Sequence, residues 1–188
     1  GIVAMNRPLT LEVAKKMKPI FLEIVMAPKF EEDALELLKT KKNLRLLEVK
    51  MDGSRKAQRQ YVGINGGLLV QDADTTVKEV VADMTVTEKK PTAQELEDMN
   101  FGWRIVKHVK SNAIVIVKGG MTLGVGAGQM NRVGSAEIAL NEALASGNTE
   151  GLVLASDGFL PFGDTVELVA DKGCLLYTSP SPRDPKTS

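Results

Sequence analysis

Residues 109–140, VKSNAIVIVKGGMTLGVGAGQMNRVGSAEIAL, join an apolar strand, a turn, a glycine run and a helix with no linker between them. Positions 113–117 are all apolar and read as a buried strand. Lys118-Gly119-Gly120 makes a hairpin turn into 121–125. Gly124, Gly126 and Gly128 resemble the loop that cradles a dinucleotide pyrophosphate, whose pattern is G-x-G-x-x-G between strand and helix. The spacing rejects that reading, because the third glycine comes one residue early and Gln129 stands in its place. Nor does an acidic residue mark a ribose site about 20 residues on at a strand end. A structural turn remains, and so does a site for another anionic ligand. Arg132 sits where the following helix starts, and a guanidinium beside free backbone N–H groups suits a phosphate.

The rest of the chain alternates helices with strands. Residues 1–5 read as a short buried strand. Thr10 caps a helix over 11–18, with Val13, Ala14 and Met17 on one face, and Pro19 ends or kinks it. IFLEIVMAP at 20–28 fits either the second half of that helix or a strand. A helix follows over 30–41, then strands at 43–51 and 66–74, and 77–90 is strand-like before it turns charged. PTAQELEDM opens the clearest helix. Thr92 and Glu95 form a capping box, and Leu96, Met99, Trp103 and Val106 recur at helical spacing. Residues 135–146 are amphipathic through Ile138, Ala139 and Ala143, 151–156 form a strand, and Asp164 with Glu167 caps a last short helix. This order predicts an α/β fold with mixed sheets flanked by helices. From Cys174 the composition shifts to Ser, Pro and charge, so 174–188 is expected to be a disordered tail.

Composition narrows the functional classes. At 188 residues the chain fits one domain, or two small halves of one. Lys plus Arg number 24 and Asp plus Glu number 24, so zero net charge gives no electrostatic argument for nucleic acid or an anionic membrane as partner. No apolar run approaches the roughly 20 residues that span a bilayer. Residues 1–20 lack a signal peptide's apolar core, and a cytoplasmic location is the default expectation. One Cys (Cys174) and one His (His108) cannot supply a zinc-ligand set or a disulfide. A chain that opens on Gly1, directly in a strand, is expected to be a fragment.

Several residues invite a functional reading beside a plainer one. Asn112 precedes the apolar strand, where Asn is commonly a turn residue, yet its amide pairs donors and acceptors for a ligand. His108 fits a helix end on the surface better than a general base. Glu23 is the one charge in its apolar nonamer; it suits a half-exposed position, or a carboxylate held for a ligand amine or hydroxyl. The loop SDGFLPFGD sets Phe159 and Phe162 between two acids directly after a strand. Loops there carry sites in α/β folds, and the rings offer a stacking wall for a flat ligand. Asp164 is a good N-cap, which is compatible with a ligand contact.

Taken in order and spacing, GIVAMNRP, KKNLRLLEV, GGLLVQD, VKHVKSNAIVIVK, GVGAGQMNRV and GLVLASDGFLPFGD resemble one family. It is the bifunctional purine biosynthesis family that joins AICAR formyltransferase (AICAR is phosphoribosylaminoimidazolecarboxamide) with IMP cyclohydrolase. The likeness covers 1–173 and lies in the C-terminal formyltransferase region, so 1–173 is expected to be a formyltransferase domain truncated at both ends. The resemblance implies two cytidine-deaminase-like α/β halves without zinc and no metal requirement. It implies formyl transfer from 10-formyltetrahydrofolate, the co-substrate, to the amine of AICAR. It also implies a homodimer. By the same resemblance Glu23, Asn112, Arg132 and Phe159 contact AICAR, while Val133 and Asp164 contact the folate. The family's catalytic Lys-His pair lies in a K-H-x-x-P-A-G-like segment upstream. Lys107-His108 lacks that continuation, so no catalytic residue is assigned and the isolated fragment is expected to be inactive. Gly163, Gly134 and Pro19 depart from the family's pattern, and 174–188 matches nothing in it and resembles non-native sequence. The competing expectation is a non-catalytic α/β module that binds a ligand or a partner.

Overall fold

Short apolar runs alternating with helix-forming segments build a parallel sheet in the first of two units, Gly1–Thr75. The computed structural model describes residues 1–50, 59–75, 79–85, 90–147, 150–160 and 162–172, with the backbone of Cys174–Thr178. In the first unit β1 (Ile2–Ala4), α1 (Leu11–Met17), β2 (Ile24–Ala27), α2 (Glu32–Lys39) and β3 (Arg45–Glu48) follow one another, and β1 and β3 each pair in parallel with β2. Thr10 caps α1 as expected, its Oγ1 accepting from Val13 N. Pro19 follows the C-cap Lys18, so the helix stops there and the ambiguous nonamer supplies strand β2. Leu9, Ala14, Val25, Ala27, Ala34 and Leu38 form the fully buried heart of this unit. The expectation of a buried strand at 1–5 is corrected: β1 is an edge strand, and Ile2 is exposed.

The same unit carries an antiparallel hairpin, β4 (Arg59–Ile64) and β5 (Gly67–Asp72). Asn65-Gly66 turns it, with Gly66 at φ +79°, the left-handed conformation that an Asn-Gly hairpin turn requires. The sequence reading found β5 and passed over its partner strand.

The second unit, Thr76–Ser188, holds α3 (Ala93–Val106), β6 (Ile114–Lys118), β7 (Met121–Gly126), α4 (Arg132–Ala145), β8 (Leu152–Ser156), α5 (Asp164–Asp171) and β9 (Cys174–Thr178). Its mixed sheet runs β7-β6-β8-β9, with β8 and β9 parallel and the other pairs antiparallel. Strand β6 is buried on both faces, which is why it reads as an unbroken apolar run. Ile114, Ile116, Leu152 and Leu154 pack against Ala136, Ala139, Leu140 and Ala143 of α4 and Val169 of α5. The alternate residues Val115, Val117, Val153 and Ala155 pack against Met99 and Val106 of α3. The period-two alternation of a strand thus divides one sheet between two helical layers. The α/β expectation of mixed sheets flanked by helices holds.

Local expectations hold or shift for physical reasons. The Thr92–Glu95 capping box is complete: Glu95 N donates to Thr92 Oγ1 at 3.2 Å and Thr92 N donates to Glu95 Oε2 at 2.8 Å. Within 77–90 the described part forms a single 3-10 turn, Ala82–Met84, rather than a strand; 76–78 and 86–89 lie outside the described residues. Ile138 is exposed, so the buried stripe of α4 runs instead through Ser135, Ala136, Ala139, Leu140 and Ala143. Asp164 is the first residue of α5, and its N-cap is Gly163, which has no side chain to offer. The tail expected from Cys174 is corrected for Cys174–Thr178, whose backbone pairs with β8; CLLYT is a short β-prone run. Residues 179–188 lie outside the described set.

The glycine run is mainly a packing device. A Cβ on Gly124 would collide with the backbone carbonyl of Ala139, and one on Gly126 with that of Ser135. Only Gly128, at φ +65°, serves the turn itself. A second device fixes the hairpin between β6 and β7. The buried Asp98 of α3 accepts from Gly119 N at 2.9 Å and Gly120 N at 2.7 Å.

Two stability predictions follow from these contacts. Gly126→Ala should cost about 1–3 kcal/mol or more, as overpacking against rigid backbone does. Gly63→Ala is the control: it sits in open space at an ordinary φ and should be nearly neutral. Asp98→Ala should cost about 1–3 kcal/mol through two lost charge-assisted bonds. Urea denaturation of the three variants checks all of this; equal midpoints for Gly126→Ala and Gly63→Ala would remove the packing explanation.

Candidate functional site

Strand register brings three chain segments to one end of the second unit's sheet. Ile114 at the start of β6 pairs with Gly126 at the end of β7 and with Ser156 at the end of β8. Asn112 therefore enters the sheet beside the point where the chain leaves for α4 and beside the loop after β8. A pocket of about 270 Å³ opens there, lined by Asn112, Asn131, Arg132, Val133, Phe159, Phe162, Asp164 and Thr165. Five of the six candidate ligand residues, Asn112, Arg132, Val133, Phe159 and Asp164, share it. The sixth, Glu23, belongs to the first unit, where its exposed carboxylate lies 3.3 Å from the Gly1 amine. The pocket's lining comes from the second unit alone.

Arg132, the first residue of α4, is the hub. Its Nε donates to Phe159 O at 3.0 Å, and its Nη1 donates to Asn112 Oδ1 at 2.7 Å and to Asp157 Oδ1 at 3.0 Å. The Arg132–Asp157 pair is largely buried, at 18% and 15% exposure. Asp157 Oδ1 also accepts from Ala113 N at 3.0 Å, and its Oδ2 accepts from the Ser111 hydroxyl. Gly158 completes the cradle, because a Cβ there would occupy the place of Arg132 Nη2. The acceptors come from two segments, Asn112 before β6 and Asp157 with Phe159 in the loop after β8, so the fork ties both of them to α4.

Asn112 uses half of its hydrogen-bonding capacity on this frame. Its Oδ1 accepts from Arg132, and its Nδ2 donates to Gln129 O at 2.9 Å. One lone pair and one N–H remain for a ligand. Its backbone carbonyl accepts from Ser135 Oγ at 2.8 Å, which fastens the loop to α4. Asn131 caps α4 through Gly134 N at 2.8 Å, and a Cβ at residue 134 would lie only 2.9 Å from the cap oxygen. A glycine at residue 134 therefore leaves room for the cap. Asp164 Oδ1 accepts from the neighbouring Thr165 N at 2.6 Å and from Thr165 Oγ1 at 3.3 Å. The rings of Phe159 and Phe162 stand at the rim, 50% and 72% exposed. Pro161 between them lies outside the described residues.

His108 is exposed just past the C-cap of α3 and does not line the pocket, in keeping with a helix-end residue. Asp157 is the functional residue that the sequence reading left unassigned. Its signal was present, since it is one of the two acids bracketing the phenylalanine loop; its partner lies 25 residues away in the chain. Among the described residues, no three His, Cys, Asp or Glu side chains converge in a metal-ligand geometry, and no helix is long and apolar enough to cross a membrane.

Comparison with known proteins bears on this geometry. The family model described as AICARFT/IMPCHase bienzyme matches residues 1–142. The chain is 53% identical over 180 residues to the bifunctional purine biosynthesis protein PurH of Anoxybacillus flavithermus, covering 96% of this chain and 35% of that protein. It is 52% identical over 182 residues to the protein of the same name from Oceanobacillus iheyensis and 49% identical over 180 residues to that from Enterococcus faecalis, with the same coverage. The chain thus spans about a third of the length of these curated relatives. A family model covering most of the sequence, with identity near one half across the relatives, shows that the chain belongs to the AICARFT/IMPCHase bienzyme family.

Proposed function

We propose that the pocket at the end of the β7-β6-β8-β9 sheet is part of a formyltransferase site, where AICAR accepts a formyl group from 10-formyltetrahydrofolate in purine biosynthesis. The observation that carries this reading is convergence. Five residues, matched one by one to ligand contacts of the family, come from three separate segments and line a single cavity. In this reading Asn112, Arg132 and Phe159 address AICAR, and Val133 and Asp164 address the folate. By family likeness Glu23 is also assigned to AICAR.

The reaction forms a C–N bond between the AICAR amine and the formyl carbon and breaks the bond from that carbon to the folate nitrogen. The amine gives up a proton and the folate nitrogen gains one. The amine is a weak nucleophile, because the ring and the carboxamide withdraw its electrons, so a base and a cation near the formyl oxygen are needed. The role of this chain is to bind and orient. Phe159 offers a ring face to the flat heterocycle, and the free N–H and lone pair of Asn112 match a carboxamide. The base and cation belong to a Lys-His segment of the family that this sequence does not contain. The family's homodimeric state is carried to this protein as part of the same proposal.

Equilibrium titration of a full-length family bienzyme carrying these residues tests the assignment. Phe159→Ala and Asn112→Ala should each weaken AICAR by about tenfold while folate binding changes less. Asp164→Ala should show the reverse preference. A bienzyme that binds neither ligand sinks the formyltransferase reading; one that binds both, with these variants silent, removes the pocket from it.

A further inference from the structure

The charge distribution around Arg132 carries an inference about which part of the ligand this pocket takes, and it rests on the formyltransferase reading. A lone guanidinium at the start of a helix suits a phosphate, as the sequence allowed. The structure differs. Arg132 is held by the Asp157 carboxylate at 3.0 Å, in a setting where both side chains are largely buried. Among the described residues, Arg132 and Asp164 are the charged side chains of the lining, and Asp157 stands outside the lining as the ion-pair partner of Arg132. One formal positive charge is therefore set against two formal negative charges. Of the guanidinium nitrogens, Nε and Nη1 are taken by Phe159 O, Asn112 Oδ1 and Asp157 Oδ1, and Nη2 alone has no hydrogen-bond partner among the described residues.

We propose that Asp157 is a specificity-determining residue: by neutralising Arg132 it turns the guanidinium into a donor for an uncharged carbonyl, so that the pocket takes the carboxamide end of its ligand and rejects the matching carboxylate. A carboxylate bound near Nη2 would sit close to the Asp157 charge, at low exposure and with little water to screen it. A carboxamide oxygen accepts the same hydrogen bond without that repulsion, and its NH2 finds acceptors such as the spare lone pair on Asn112 Oδ1. A pocket that rejects by like charge gains discrimination without added contact area. Gly158 lies against the same device, because a Cβ there would meet Arg132 Nη2 and the end of the guanidinium would have to shift.

The test uses a full-length family bienzyme and two probes, AICAR and the ribonucleotide bearing a carboxylate in place of its carboxamide. Asp157→Asn keeps an oxygen for Arg132 Nη1 and Ala113 N and removes only the charge. The ratio of the carboxylate Kd to the carboxamide Kd should fall by about tenfold or more. Asp157→Ser, also uncharged, should shift the ratio the same way if the Asn variant does not fold. Gly158→Ala displaces the guanidinium and leaves both acids in place, so both probes should weaken with the ratio little changed. An unmoved ratio in Asp157→Asn, or an equal shift in Gly158→Ala, overturns the inference while wild-type AICAR binding keeps the formyltransferase reading standing. Loss of that wild-type binding is the separate failure that would remove the reading itself.

Discussion

The close approach of α4 to β7 sets the position of everything at the sheet end. Gly124 and Gly126 lie two residues apart and so share one face of the strand; Ser135 and Ala139 lie four apart and so share one face of the helix. A strand face without side chains meets a helix face of small ones, and the two backbones touch. Dispersion between closely packed backbones replaces the side-chain burial that larger residues would have given. The geometric result matters more than the energetic one. Because α4 rides low on the sheet, its first residue arrives level with the entry of β6 and the exit of β8. Ser135 sits at both ends of this arrangement: its backbone carbonyl faces Gly126 and its hydroxyl holds the carbonyl of Asn112.

Arg132 converts that placement into a fixed site. A largely buried ion pair is a poor source of net stability, since desolvation of both charges offsets most of their attraction. Its value here is directional. The guanidinium fork presents donors in fixed directions, and its three bonds reach acceptors on two segments, the β6 entry and the β8 loop. A lysine in the same place would supply charge without that geometry. The pair also explains why a cation at a helix start is not by itself an anion site. Asp157 has already claimed the charge.

Much of this was legible in the sequence, and what was not has a common cause. Features whose partners lie within a turn or two were read correctly: the Thr92–Glu95 capping box, the Thr10 cap, the Gly-Gly turn and the unbroken apolar run of β6. Features whose partners lie far along the chain were not. Gly124 and Gly126 look like a loop in one dimension, because the helix backbone that excludes their side chains is 15 and 9 residues on, respectively. Asp157 looks like one of two loop acids until Arg132 is seen beside it. Ile138 and Ala139 fit the same helical spacing, and only the sheet decides which faces inward. The site residues themselves came from family likeness; the chemistry that joins them came from the fold.

The exposed rim completes the physical argument. Phe159 and Phe162 hold two aromatic rings half or more in water within one short loop, against a cavity whose floor is polar and largely tied up in its own hydrogen bonds, with an N–H and a lone pair of Asn112 and Arg132 Nη2 left over. Such an arrangement has few of its own unmet hydrogen bonds to offer, so affinity must come largely from covering ring surface, at about 25 cal/mol per Å² of apolar area removed from water. The polar floor then acts by exclusion. It accepts a flat, uncharged group that matches the spare N–H and lone pair of Asn112, and penalises one whose charge conflicts with Asp157. Binding strength and selectivity are thereby assigned to different residues, the first to the rim and the second to the Arg132 cradle.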